Sequence, residues 1–199
     1  MEHYFISKDH EENDYFFYTD TLGGGEYKFK SVDSVFSKDK IDDGTRVLLN
    51  TVLDNYDTID GDILDFGCGI GVVGVVLKTN YPNANIIMCD INKTCVELSI
   101  FNTQSNNIQA KVIESDLYEN IKNNFDYIIT NPPIKVGKEI LFGVVSEGYT
   151  HLKEGGHIVL VIRKSHGMES MKKHMTIVFG NCEILKRDKG FYVLRSVKK

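Results

Sequence analysis

With 199 residues, 42% of them hydrophobic and 26% charged, the chain has the size and balance of one globular domain able to bury a substantial core. No apolar run approaches the length of a membrane span. The acidic start MEHYFISKDHEEND lacks the basic head and apolar stretch of a secretory signal, so the expectation is a cytoplasmic protein with no membrane partner. Net charge is −5 and unevenly divided: residues 1–100 carry 8 Lys+Arg against 18 Asp+Glu and residues 101–199 carry 15 against 10, so the C-terminal half is the one able to present a basic face to phosphate.

In chain order, Tyr15–Val32 reads as a hairpin, since YFFYTDTL and EYKFKSV are rich in aromatics and flank Gly23-Gly24-Gly25. DSVFSKDKIDDGT is loop-like, and RVLLNTVLDNY has helical spacing. From residue 61 the pattern changes. DILDF predicts a short strand, GVVGVVLKTN a helix, NIIMCD a strand, and NKTCVELSIFNTQSN a helix with apolar residues at Cys95, Leu98 and Phe101. AKVIES and FDYIITN are further strands, EILFGVVSEGYTHL a helix, GHIVLVIR a strand and GMESMKKHMTIVF a helix. CEILKR and GFYVLRSV end the chain as two strands joined by Asp188-Lys189-Gly190. Strands alternating with helices imply right-handed crossovers and a mostly parallel sheet covered on both faces. The short last link makes one of the final two strands run antiparallel to the rest. A boundary near Asp57–Gly61 sets an N-terminal hairpin and helix extension, residues 1–57, packed on the same domain, against a body of residues 58–199.

The four cysteines, Cys68, Cys89, Cys95 and Cys182, form no CxxC pair and read as free thiols in a reducing compartment. His151 and His157 flank a glycine turn without cysteine or carboxylate partners and read as surface residues. No metal is expected.

LDFGCGIGVVG, residues 64–74, carries G-x-G-x-x-G at Gly69, Gly71 and Gly74, after a strand and at the start of a helix. Glycines let a ligand approach the main chain, and the helix N-terminus behind them favours an anionic group. Alone this fits a dinucleotide, or a tight turn with no ligand. Gly67 extends the series, Asp65 precedes it on the strand, Asp90 ends the next strand where an acid reaches ribose hydroxyls, and Asp116 ends the strand after that.

On these residues DFGCGIG resembles the first motif of class I S-adenosylmethionine-dependent methyltransferases. The resemblance implies an α/β, Rossmann-like fold with a seven-stranded mostly parallel sheet, one antiparallel strand and helices on both faces, here preceded by the N-terminal hairpin. It implies that the stretch Gly67, Cys68, Gly69 and Gly71 lines the methionine moiety of S-adenosyl-L-methionine and that Asp65 helps hold its amino group. It further implies that Asp90 takes the ribose hydroxyls, Ile91 packs on the adenine, and Asp116 with the backbone of Leu117 reads the adenine edge.

TNPPIKVGK, residues 130–138, spends two of the three prolines at the end of a strand. Asn131 is pushed extended by the proline after it, and Pro132 and Pro133 are stiff and lack N–H donors. The result is a rigid, acceptor-rich ledge on the ligand edge of the sheet. The Asn131 side-chain oxygen and the Pro132 carbonyl suit the two hydrogens of a planar amino group. Gripping both out of plane returns the lone pair to nitrogen and aims it at an electrophilic methyl. NPPI resembles the N/D-P-P-x motif of methyltransferases that modify planar amino groups; Ile134 stands where most of them carry a stacking aromatic.

Together with SVFSKDKIDDGTRVLL and GFYVLRSVKK, NPPIKVGK makes the chain resemble, from about Tyr4 to Lys199, the small-domain guanine-N2 methyltransferases of small-subunit ribosomal RNA. The partner so implied is ribosomal RNA or the assembling small subunit; oligomeric state is left open. Some longer members carry a second, degenerate methyltransferase-like domain, so RNA engagement here is expected from the short N-terminal part and the basic C-terminal half. Lys135 and Lys138 beside the ledge, Arg163 and Lys164 at a strand end, and Lys172 and Lys173 are candidates, with Lys186, Arg187, Lys198 and Lys199 weaker. Strand topology puts Lys135, Arg163 and Lys164 on the ligand edge, and Phe36 is a candidate to lie over cofactor or base. Three rivals remain. A methyltransferase of another planar nitrogen, a protein glutamine or a DNA base, usually has Tyr or Phe after the prolines. A nicotinamide dehydrogenase leaves Asn131-Pro132-Pro133 unexplained. A catalytically dead RNA-binding module has no need of an intact ledge and three acids.

Overall fold

The computed structural model describes residues 14–33, 35, 40–133 and 137–199. Strands β1 (Tyr15–Leu22) and β2 (Gly25–Val32) form an antiparallel hairpin closed at the Leu22–Gly25 pair. Helix α1 (Asp43–Asn55) then leads into β3 (Asp62–Phe66), α2 (Val72–Asn80), β4 (Asn85–Asp90), α3 (Lys93–Ser105), β5 (Lys111–Glu114) and β6 (Phe125–Thr130). There follow α4 (Lys138–His151), β7 (Leu152–Arg163), α5 (Met168–Phe179), β8 (Glu183–Asp188) and β9 (Phe191–Val197).

Strands β3 to β9 make one sheet in the order β5-β4-β3-β6-β7-β9-β8. β9 runs antiparallel to both its neighbours, and the remaining pairs are parallel. This is the seven-stranded, mostly parallel sheet expected from the alternating pattern. From β3 the chain steps outward to β4 and β5, then returns to β6 on the other side of β3. Such a reversal opens a crevice at the C-terminal ends of the strands.

The two faces of the sheet are closed differently. Along β3, Ile63 enters one core while Leu64 and Phe66 enter the other, because successive strand side chains point to opposite faces. The first core also takes Tyr27 and Phe29 of the hairpin, Leu48 of α1 and Val76 of α2; the second takes Val145 of α4 and Met171 of α5. The hairpin therefore shares a core with the sheet.

Three sequence expectations need correction. α1 begins at Asp43 instead of Arg46, because the Asp42 carboxylate accepts the free N–H groups of Gly44 and Thr45 and starts the helix earlier. β7 begins at Leu152, ahead of the GHIVLVIR run, with an irregularity in its pairing before His157 meets Tyr127. His157 is no surface residue: it lies half-buried against the Tyr127 ring, with Nδ1 2.9 Å from the Tyr56 hydroxyl, and burial pushes its pKa down. His151 stacks on buried Tyr118 with ring centroids 4.7 Å apart.

Candidate active site

A cleft of about 370 Å³ opens at the C-terminal ends of β3, β4 and β5. Gly67, Asp90, Ile91, Asp116 and Leu117 from the ends of the strands, Pro133, and Ile140 and Val144 of α4 are among the residues that line it. Three of the predicted turns, after β3, β4 and β5, thus converge with the Asn-Pro-Pro turn on one space.

Gly67, Gly69 and Gly71 all have positive φ, so the chain coils tightly from β3 into α2. Asp90 is 4% exposed, yet it borders the cleft. Its Oδ2 accepts the Gly69 N–H at 2.9 Å and its Oδ1 the Asn92 N–H at 2.9 Å, so one carboxylate ties the glycine turn to the next turn. Burial raises its pKa, and the backbone donors Asn92, Gly69 and Ile91 pull the other way. Ionised, it keeps lone pairs beyond these N–H groups for hydroxyl donors.

Asp65 stands elsewhere. It is 1% exposed, its Oδ2 accepts the Gly74 N–H at 2.9 Å, and it does not line the cleft. Burial pushes its pKa up to about 7, with the Asp90 charge adding to the rise. Its place is beneath the glycine turn, at the start of α2. Cys68 is likewise buried, its thiol 3.4 Å from the Ser99 hydroxyl, and the Ser99 hydroxyl donates to Gly69 O at 2.8 Å. Neither Cys68, Gly69 nor Gly71 lines the cleft.

At the third turn Asp116 is exposed, and Leu117 takes φ +45°. A left-handed leucine costs on the order of 1 kcal/mol or more. It is held by the Ser115 hydroxyl, which donates to Leu117 O at 3.0 Å and accepts the Asn120 N–H at 3.1 Å.

The Asn-Pro-Pro turn follows β6, and the Thr130 hydroxyl clamps it to the end of β3 through Phe66 O at 2.8 Å. A Cβ on Gly67 would stand 3.8 Å from Pro133 Cδ, so the two turns lie against each other. Asn131 is half-buried. Its amide Nδ2 donates to Thr45 Oγ1 at 2.9 Å and reaches Asp42 Oδ1 at 3.3 Å. An ionised carboxylate only accepts, so the amide can face Asp42 only with its nitrogen. Oδ1 then points the other way, and no described residue donates to it.

Arg163 is exposed, with its guanidinium 4.4 Å over the Phe191 ring. Phe191 and Asn131 flank Gly44: a Cβ there would be 2.9 Å from Phe191 Cε1 and 3.4 Å from Asn131 Nδ2. Arg163 and Lys164 therefore stand on the same sheet edge as Asn131, one ring and one helix turn away. Lys198 does not, since its ammonium is spent on Leu152 O at the opposite end of β7. Phe36, Ile134 and Lys135 lie outside the described residues.

Sequence reasoning missed Asp42, Thr45, Ser99 and Ser115. An acid just before an apolar helical run is a cap signal that was available at Asp42. Nothing along the chain links Asp42 or Thr45 to Asn131, which are separated by 89 and 86 positions.

The residues present fit a bound nucleoside: a turn with glycine at 67, 69 and 71, a buried acid able to meet hydroxyls, and a strained backbone turn at Leu117 on a cleft that Ile91, Ile140 and Val144 also line. Residues 26–195 match the model of the methyltransferase small domain family. Over 200 residues the chain is 32% identical to an uncharacterised Bacillus subtilis protein, YbxB, covering 99% of this chain and 98% of that one. It is 32% identical over 188 residues to ribosomal RNA small subunit methyltransferase C of Vibrio parahaemolyticus, covering 91% of this chain and 52% of the relative. The chain thus spans about half the length of that methyltransferase. Among solved structures, the T. thermophilus 16S rRNA N2 G1207 methyltransferase in complex with AdoMet and guanosine superposes with a TM-score of 0.85 at 24% identity, over 93% of this chain and 51% of that one. That likeness shows a shared fold.

Proposed function

Since the chain belongs to the methyltransferase small-domain family, we propose that it methylates an exocyclic amino group of RNA, namely N2 of a guanine in small-subunit ribosomal RNA. The donor is S-adenosyl-L-methionine, which when bound supplies an electrophilic methyl group. Support for the acceptor comes from the relatives named for ribosomal RNA small subunit methylation and from the chemistry of the ledge.

The observation that carries the reading is the fixed amide of Asn131. Thr45 and Asp42 take its N–H groups, which leaves Oδ1 as a pure acceptor at the end of β6. The Pro132 carbonyl follows in a backbone that proline stiffens. These two oxygens grip the two hydrogens of the amino group, hold its lone pair out of conjugation and stabilise the positive charge that gathers on nitrogen. Bound beside the ledge, S-adenosyl-L-methionine would supply the methyl group and carry away the C–S bonding pair, and the nitrogen, gripped by Asn131 Oδ1 and the Pro132 carbonyl, would pass its extra proton to water. Asp90 would receive the ribose hydroxyls, Ile91 pack on the adenine, Asp116 and the backbone of Leu117 read its edge, and Gly67, the glycine of the turn that borders the cleft, meet the methionine end. Asp65 and Cys68 act from behind, by holding the turn in shape.

The experiment offers the protein small-subunit ribosomal RNA, duplex DNA and a glutamine peptide with labelled donor, and maps the methyl group by mass spectrometry. Transfer to guanine N2 is expected. Label on DNA or peptide alone would overturn the acceptor assignment and leave the methyltransferase standing. Asn131→Ala should lower turnover by at least about 100-fold with S-adenosylhomocysteine binding nearly intact by calorimetry, whereas Asp90→Ala should weaken that binding.

A further inference from the structure

Beside Asn131, three elements meet on the same sheet edge. The β8–β9 turn is joined to the exit of β7 by the Lys164 N–H, which donates to Gly190 O at 3.0 Å. From that turn, Lys189 Nζ reaches Asp43 Oδ1 in the first turn of α1 at 3.2 Å, both side chains being more than half exposed. Lys40 and Arg163 stand near enough to act on the same carboxylate, whose pKa is held below the ordinary value first of all by the Lys189 hydrogen bond. Arg163 lies over Phe191, which flanks the helix start that steadies Asn131.

An exposed pair of this kind contributes little to stability, because water and salt screen it. It also gives way easily to another anion. Arg163 lies over Phe191, and no described residue takes its guanidinium N–H groups, so they remain available for a forked contact with phosphate. Asp43 follows Asp42 directly, so whatever binds this rim sits next to the residue that orients the Asn131 amide.

We propose that Lys40, Arg163 and Lys189 form the seat for the phosphate backbone of the RNA strand that carries the target base, with a phosphate taking the place of Asp43 as the partner of Lys189. This rests on the reading of the Asn131 site as one that acts on RNA. Such contacts fix the register of the strand and carry no base preference, which stays with the ledge. Asp43 acts as a weak internal competitor that lowers the affinity of the rim for stray anions.

The test is fluorescence anisotropy of the full chain with a labelled fragment of small-subunit ribosomal RNA, titrated at several potassium chloride concentrations. Lys189→Ala should weaken binding roughly three- to tenfold and reduce the slope of log K against log salt by about 1. Asp43→Asn should tighten binding roughly threefold at low salt; a folding defect cannot produce that gain. Unchanged affinity and slope in Lys189→Ala, or weaker binding in Asp43→Asn, overturns the proposal. If the parent chain binds and methylates RNA and both variants bind as it does, the rim alone is refuted. If the parent chain binds no RNA while S-adenosylhomocysteine still protects it against heating, the RNA reading falls and the rim with it.

Discussion

Asn131 is useful only when its amide is held one way round. Thr45 and Asp42 achieve this from a different element, so Thr45 is a positioning residue. Thr45→Val removes one acceptor without changing shape, and turnover should drop about 10-fold or more while S-adenosylhomocysteine affinity stays put; Thr45→Ser should restore most of the rate. Equal kinetics in the valine variant would show that Asp42 suffices. Asp65 offers a second test through pH. Its folded pKa, about 7, lies above the ordinary carboxylate value, so the native state holds a proton that the unfolded chain has already lost. Its contribution is complete below about pH 4 and disappears as pH rises through about 7. Asp65→Asn keeps an acceptor for the Gly74 N–H and removes the buried charge. Thermal melts should therefore show the variant gaining on the parent between pH 5 and pH 8, with each kcal/mol worth about 2–4 °C. A gain that does not change with pH would mean that Asp65 is ionised throughout.

At the scale of elements, the order of strands and helices from Asp62 onward was legible because strand and helix periods differ and the connections are short. The short final link required one of the last two strands to run antiparallel, and pairing with both its neighbours makes β9 that strand. What was not legible lies in contacts that jump along the chain. The burial of His157 depended on Tyr56 and Tyr127 arriving from other elements, whereas the early start of α1 rests on the local cap at Asp42, a signal the sequence does carry. The candidate site divides in the same way: the glycine turn, Asp90, Asp116 and Asn131 announce themselves in short motifs, whereas their supports Thr45, Ser99 and Ser115 do not. Gly74 shows why the last motif glycine matters as packing. A Cβ there would stand 2.1 Å from Met88 Cε and 2.9 Å from Met88 Cγ, a side chain with no exposure. Gly74→Ala should cost about 1–3 kcal/mol in denaturant unfolding, by pushing α2 off β4. Adding Met88→Val frees that space, so the double variant should lose less than the two single losses together.

Across the whole molecule, Asn102 joins parts that the sequence sets far apart. It is fully buried in α3. Its Oδ1 accepts the Lys30 N–H at 2.7 Å, and its Nδ2 donates to Lys30 O at 3.0 Å and Ile70 O at 2.8 Å. Hairpin, helix and glycine turn are thereby one polar unit. Asn102→Ala leaves three backbone groups without partners and should cost about 2–4 kcal/mol, together with a measurable loss of S-adenosylhomocysteine affinity. A stability loss with affinity untouched would show that hairpin and turn are independent. Asp42 presents a related case. One oxygen of its carboxylate serves the Gly44 and Thr45 N–H groups and the Asn131 amide at once. A hybrid that joined the first helix of one protein to the sheet of another could fold in all its pieces and still aim that amide wrongly. In any such transplant, positions 42 and 131 have to travel as a matched acid and amide.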